Sequence, residues 1–589
     1  MTSQTRCSRP ARTGMTIDRD RAAAALARFR RDETGTLTVF SIYIAVLILM
    51  LGGIAVDVMR SEQVRTAVQN VEDTAVLAAT NLNQTLSAES VVQDYFDKAG
   101  MGQYLQSVQV TSSQNYKQVQ AVATTSVPTL FMKLLGINSL NTVNNSTAVE
   151  SIGNVEVALA LDNSGSMNQQ ASAGTTTQCT TTTKKGVKYQ SCYTVPVYTT
   201  KIAALQTAAS EFVDTMFSQV EPGALTMSIF PYDSHVDIGP DLLQYLNVSN
   251  EQTKAKCVDF LTGDFATTAI SPTAQLQRTA YANLENSTTS ITNSNVECNS
   301  ASYRDSIVFS NDATALKTTI NNMQAGGYTS IDSGVKWAAA SLDPAWQPVV
   351  NDMIAAGKLP SSYTGRPAAY NDRTHMKVLI VMSDGENTSR YQLKPGYYAG
   401  SSPYFANYSS TGTLTSNWSF YDASKGSAPY FWSVDKTWHA QPFGTGGGSY
   451  TYCTAYYYGT CSSYGTATAS GTATQWTYPQ LWAAMSTPYY LNNVLTAVYG
   501  SQTANAMYNN IVDVESASEM DSYLHTICSA AKANGDIVYS IGFQTTTHGA
   551  ATLSDCASAP SYYFNAQGTE ISSVFSKIAN SIVHLRLTQ

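Results

Sequence analysis

Charge is what this sequence has least of. Asp, Glu, Lys and Arg make up 13% of its 589 residues, about half the usual share in globular proteins. The balance is slightly acidic, with a formal net charge of −8 at pH 7. That excludes the one-sided positive face of a nucleic-acid binder. Histidine is scarce and scattered, at His235, His375, His439, His525, His548 and His584, and no His-Glu-x-x-His pair exists to hold a catalytic zinc. Gly-x-Ser-x-Gly elbows and Walker A loops are missing, and no Cys-x-x-Cys has zinc-ligand spacing. These absences remove the common hydrolase, nucleotide-binding and zinc-module classes, so no enzyme is expected.

Ser, Thr, Asn, Gly and 36 tyrosines fill the space left by charge. A neutral polar surface of this kind suits an exported protein. A chain of 589 residues is too long for one ordinary core, and two or more folded units are expected. Of nine cysteines, Cys7 precedes the long apolar segment and eight follow it. Their order suggests four local pairs: Cys179 with Cys192, Cys257 with Cys298, Cys453 with Cys461, and Cys528 with Cys556. Sequence alone leaves the connectivity open, with free buried thiols as the alternative. An even number beyond the apolar segment favours an oxidising compartment.

That segment, LTVFSIYIAVLILMLGGIAV at 37–56, runs twenty residues without a charge. At 1.5 Å per residue it spans a hydrocarbon core of roughly 30 Å. Eight arginines precede it, while only Asp57 and Arg60 follow closely. The positive-inside rule places the N-terminus in the cytoplasm and everything beyond Val58 outside. A cleaved signal peptide would have a shorter apolar stretch ending in small residues, so an uncleaved anchor is expected. After it, Val64, Val68, Val71, Ala75, Ala78 and Leu82 recur at helical spacing, predicting a helix that leaves the bilayer and runs to near Asn83. Alternation at 107–111 and 118–125, then the apolar run VPTLFMKLLGI, predict a small α+β unit to about 150. The expected organisation is a basic cytoplasmic tail at 1–35, a membrane helix at 36–58, and a helix with that small unit at 59–150. One large domain fills 151–589.

The pattern around the apolar helix resembles the N-terminus of TadG-like proteins of the tight-adherence (Flp) pilus-assembly system. Gly35, Asp57, Arg60, Gln69, Asn70 and the alanine-rich stretch from Ala75 to Ala79 carry the resemblance, and the last 75 residues, closing on LRLT, look like TadG-like C-termini. Prepilin-like relatives carry a Glu where this chain has Phe40, which argues against peptidase processing at Gly35. The resemblance implies an inner-membrane protein, single-pass, with a periplasmic C-terminal domain that acts in pilus assembly or related secretion.

Residues 155–161, VEVALAL, form a continuous apolar run, as expected of a parallel strand buried on both faces. Asp162, Asn163, Ser164, Gly165 and Ser166 follow it. In near-extended backbone alternate side chains point the same way, so Asp162, Ser164 and Ser166 can converge. GGYTSIDSG offers Thr329 before a helix, and the apolar strand MKVLIVMSDGEN ends at Asp384. The set resembles the metal-ion-dependent adhesion site of the von Willebrand factor A (VWA) domain. That resemblance implies an α/β fold with a doubly wound, mostly parallel, Rossmann-like sheet whose ligands bind at the carboxyl ends of its strands. Asp162, Ser164, Ser166, Thr329 and Asp384 would be the oxygen ligands of Mg2+, with Ca2+ or Mn2+ as alternatives. An open coordination position would take an acidic residue of a protein partner.

A bare A domain needs far fewer residues than 151–589, so insertions are expected near 168–198, 233–310 and 390–512. The last carries Trp418, Trp432, Trp438, Trp476 and Trp482 among many tyrosines. They can contact partners or sugars, or pack a small subdomain stapled by Cys453 and Cys461. Three functions are compatible with these features. The favoured one is a membrane-anchored, metal-dependent binding component of pilus assembly. A surface adhesin for host or matrix material is the alternative, and a regulatory VWA subunit of a metal-dependent enzyme is the third.

Overall fold

The computed structural model describes residues 23–24, 27–28 and 34–588, except positions 82, 83, 85, 114, 115, 152, 222 and 373. Most of the arginine-rich tail, Cys7 and the expected helix end at Asn83 lie outside the described residues. The chain divides into two compact units, Met1–Ser151 and Ile152–Gln589.

In the first unit, helix α1 (Thr34–Thr80) runs 47 residues without a proline. It is the one helix among the described residues long and apolar enough to cross a membrane. Its apolar half is exposed within the unit, as a lipid-facing span would be. Its second half buries Val68, Ala75, Val76 and Ala79. These small residues recur at helical spacing and let two neighbours approach closely. One is helix α2 (Ala88–Lys98), capped at its start by Ser87, which accepts a hydrogen bond from the Ser90 amide. The other is an antiparallel sheet of β1 (Leu105–Ser113), β2 (Tyr116–Pro128) and β3 (Ser139–Ser151), in that order. Val92, Phe96, Val119 and Ala121 complete this small core.

The second unit is a mixed α/β domain. Its chain runs through β4 (Asn154–Asp162), the hairpin β5 (Gln170–Lys184) and β6 (Val187–Thr200), α3 (Lys201–Gln219) and β7 (Leu225–Tyr232). It continues through β8 (Ile307–Ser310), α4 (Ala313–Asn322), α5 (Ile331–Leu342) and β9 (His375–Ser383). It closes with α6 (Ala517–Ala533), β10 (Ile537–Phe543), α7 (Thr547–Cys556), β11 (Tyr563–Ala566) and α8 (Glu570–Thr588). The central sheet has the order β8-β7-β4-β9-β10-β11. All neighbours are parallel except the edge strand β8. Leu205 and Phe212 of α3 and Phe575 and Ile578 of α8 belong to one core. Val335 and Trp337 of α5 and Leu524 and Ile527 of α6 belong to a second. Because both faces are covered, β4, β7 and β9 are mostly apolar instead of alternating, and the buried charges Glu156 of β4 and Lys377 of β9 pair with each other at 2.9 Å.

The intervening segments take three forms. Residues 170–200 are a two-stranded ribbon turned by Lys185 and Gly186, both with positive φ, as a two-residue hairpin turn requires. Residues 233–310 have little regular structure and are held by the Cys257–Cys298 disulfide. Residues 401–477 contain a five-stranded antiparallel sheet and a separate ribbon of 449–457 and 460–468. Trp432, Trp476 and Trp482 are buried around that sheet, and Trp418 and Trp438 pack against its core. Cys453–Cys461 therefore staples the outlying ribbon and not the tryptophan-lined core, contrary to expectation. All four cysteine pairs suggested by chain order are bonded.

Candidate functional site

The carboxyl ends of β4 and β9 meet side by side, since the two strands pair in parallel register from Asn154 with His375 to Leu161 with Met382. Each then turns away from the sheet, β4 into Asn163-Ser164-Gly165-Ser166 and β9 into Asp384-Gly385-Glu386. A third loop, 326–330, arrives before α5. Its Gly327 carbonyl accepts from the Gly165 amide at 3.0 Å. A Cβ on Gly165 would lie 3.1 Å from that carbonyl oxygen, so the glycine permits the close approach.

The five residues singled out in the sequence lie around this junction. Asp162 is fully buried and accepts from the Ser164 amide at 2.7 Å and the Ser383 hydroxyl at 2.6 Å. The Ser164 and Ser166 hydroxyls are 3.0 Å apart, and Ser166 donates to Asp384 Oδ1 at 2.6 Å. Thr329 is placed nearby: a Cβ on Gly385 would lie 3.7 Å from Ser166 Oγ and 4.0 Å from Thr329 Oγ1. The Thr329 backbone is pinned by Thr388, which accepts from its amide at 3.0 Å.

The remaining oxygen of Asp384 decides the chemistry. Lys201, the first residue of α3, places Nζ 2.7 Å from Asp384 Oδ2 and 3.1 Å from Gln169 Oε1. The pair is buried, with side-chain exposures of 6% and 0%. The four carboxylate oxygens of Asp162 and Asp384 are thus each taken by a protein donor, and among the described residues the one cation in contact is the Lys201 ammonium. Among the described residues no group of three or more His, Cys, Asp or Glu is placed to hold a metal ion. With both carboxylates engaged by protein donors and an ammonium already against Asp384, the residues as arranged do not present the free anionic oxygens a hard divalent cation takes. The expectation of Mg2+, Ca2+ or Mn2+ on Asp162, Ser164, Ser166, Thr329 and Asp384 is corrected accordingly. With it falls the metal-dependent capture of a partner's acidic residue. Burial, reinforced by the neighbouring Asp384 charge, pushes the Asp162 carboxyl up to about 7, while hydrogen bonds from Ser164 and Ser383 pull the other way.

Sequence reasoning missed Lys201, Gln169 and Ser383. One signal was available for Lys201. A lysine at the first position of a helix opposes the helix dipole and is expected to have an anionic partner. The inserted segments are tied to the same junction. Arg304 pairs with Asp233, whose carbonyl accepts from the Ser330 amide at 2.8 Å. Arg390 reaches Asp332 of α5 at 2.7 Å and also binds Glu515, clamping both ends of 390–515 to the start of that helix.

What projects from these clamps is exposed. The 170–200 ribbon leaves directly after Gln169 and returns to Lys201, showing Tyr189, Tyr193 and Tyr198 to solvent. The 449–468 ribbon shows Tyr452, Tyr456, Tyr457, Tyr458 and Tyr464. Tyr458 and Gly459 form its two-residue turn, again with positive φ at both positions. Each ribbon is cross-linked between its strands by a disulfide.

Residues 35–82 match the family model described as putative Flp pilus-assembly TadE/G-like. No curated protein matches the chain. Among solved structures, the pilus adhesin SpaC from Lactobacillus rhamnosus GG is 10% identical, over 81% of this chain and 33% of its own, with a TM-score of 0.25. The chain therefore spans about a third of that adhesin's length. The vWF domain of the type V pili tip protein Mfa5 from Porphyromonas gingivalis is 11% identical, over 73% of this chain and 95% of its own, with a TM-score of 0.26. Proximal thread matrix protein 1 from the mussel byssus is 9% identical, over 74% of this chain and 46% of its own, with a TM-score of 0.24. Likeness at this level leaves the reading of the chain to its own geometry.

Proposed function

We propose that this chain is a membrane-tethered, adhesin-like protein of the bacterial envelope that binds through its two tyrosine-bearing ribbons, without a metal. The observation that carries the reading is the exposure of those tyrosines, 91% at Tyr458 and 72% at Tyr456, on strands cross-linked by disulfides. Exposed aromatic rings grouped on one ribbon, unlike rings scattered singly, mark a contact surface. Held on a stapled ribbon, they offer contact area at low cost in conformational entropy.

The tether supports the same reading. The apolar half of α1, with arginines before it and disulfides beyond it, favours a cytoplasmic N-terminus and an extracytoplasmic remainder. The TadE/G-like match at 35–82 favours a place beside a tight-adherence pilus. The order β8-β7-β4-β9-β10-β11, with crossovers on both sides of β4, favours a doubly wound, VWA-like scaffold. Within it, Asp162, Ser164, Ser166, Thr329 and Asp384 act as a polar junction that Lys201 closes. Expressing the chain with residues 449–468 replaced by a short Gly-Ser turn tests the reading. Adherence of the cells to matrix-coated surfaces is expected to fall at least tenfold; unchanged adherence would refute it.

A further inference from the structure

The connection between β2 and β3 carries the apolar run TLFMKLLGI, 129–137, and leaves most of it uncovered. Leu130 is 60% exposed, Leu134 77%, and Phe131, Leu135 and Ile137 are exposed as well. A short 3-10 turn, Met132–Leu135, shapes this loop, and Gly136 closes it with a φ of 85°. Thr129 and Asn138 bond across its neck, the Thr129 amide donating to the Asn138 carbonyl at 3.1 Å. Five large apolar side chains on one compact loop form a patch that water does not favour.

The loop is fixed to a specific level of α1. Asp57 accepts from the amides of Leu130, Phe131 and Met132 at 2.9, 2.8 and 2.7 Å, and only 2% of the residue is exposed. The Phe131 ring lies so close to Gly53 that a Cβ at position 53 would overlap it. Gly53 belongs to the uncharged stretch that ends at Val56. Gly53 lies four positions before Asp57 on the helix, roughly 6 Å along the axis. The ring of Phe131 is thus held beside the end of the apolar span, about as deep as the apolar face of an interfacial helix sits, ~5–10 Å. Three amides supply the hydrogen bonds that let a carboxylate remain at that boundary, where an unpaired one would be costly.

We propose that the 129–137 loop dips into the outer leaflet of the bilayer that α1 crosses, forming a second, interfacial membrane contact. The inference rests on the reading of α1 as a membrane span. The occupant is lipid, at the boundary of headgroups and acyl chains, because the patch continues the surface of the span itself. Lys133, exposed on the same turn, has a stem long enough to carry its ammonium out to lipid phosphates. Helix and loop together fix the tilt of the first unit against the membrane, which a single helix would leave free.

The test uses the full chain with Cys7→Ser, reconstituted in phosphatidylethanolamine and phosphatidylglycerol vesicles. A nitroxide is attached at Leu134→Cys, Leu47→Cys or Glu89→Cys in turn, and its relaxation is compared between oxygen, which concentrates in lipid, and a water-soluble nickel chelate. Position 134 is expected to respond more to oxygen, as position 47 does at mid-span, while position 89 on α2 responds to nickel. Nickel dominating at 134 with 47 still lipid-buried would overturn the loop and leave the tether standing. Nickel dominating at both would overturn the tether, and the loop with it.

Discussion

Lys201 and Asp384 stand 183 positions apart in the chain and form a buried ion pair with Nζ 2.7 Å from Oδ2. The lysine opens the helix that follows the first ribbon, and the aspartate ends the strand beside β4. One pair therefore fixes where the ribbon leaves the domain. It also supplies the positive charge that the two buried carboxylates require.

Removing that charge leaves Asp384 buried and unpaired. Lys201→Met is expected to destabilise the protein by about 3–5 kcal/mol, read from urea denaturation of the full chain in detergent. Adding Asp384→Asn should recover a large part of that loss. Excess Mg2+ or a chelator should leave the wild-type melting temperature unchanged, because a site saturated a hundredfold above its dissociation constant would add about 2.7 kcal/mol.

Asp536, just ahead of β10, has two oxygens without a hydrogen-bond partner among the described residues. Burial pushes its carboxyl up to about 7, with Lys377 pulling the other way. Between about pH 4 and pH 7 the folded chain binds this proton more tightly than the unfolded chain does, so stability falls as pH rises through that window. Asp536→Asn removes this dependence. Its melting temperature should exceed that of wild type at pH 8, with the gap closing towards pH 4.

The disulfides should differ in worth. Cys257–Cys298 closes a loop of sequence separation 41 within a segment of little regular structure, and Cys453–Cys461 closes one of 8. Loop-closure entropy predicts losses of about 4 and about 2.5 kcal/mol when each pair is replaced by alanine. Thermal melting of the two double variants checks the order; equal losses would contradict it.

VEVALAL and MKVLIVM could be recognised as strands because burial on both faces leaves one polar position in each, Glu156 and Lys377, which pair with each other at 2.9 Å. Asp162 and Asp384, at their ends, were legible for the same reason: a carboxylate ending an apolar run needs partners. Lys201 was not legible as a partner of Asp384, because that contact depends on how a 31-residue ribbon returns to its origin. The ribbons themselves gave little signal, since Thr and Tyr exposed on both faces produce no alternation. The loop at 129–137 was visible as an apolar run, but not its level on α1. That level is set by three amides reaching Asp57 across more than seventy positions.

Adherence measured with the ribbon tyrosines altered, with and without chelator, tests most directly whether binding resides on the ribbons and not on a metal. Tyr456→Ser, Tyr457→Ser and Tyr458→Ser, combined in one full-length chain, should change stability by no more than about 0.5 kcal/mol per site, as exposed substitutions do. Cells bearing this variant should adhere at least tenfold less than wild type, and chelator should leave wild-type adherence intact. Full adherence of the triple variant, or loss of wild-type adherence on chelation, would contradict the proposed binding mode.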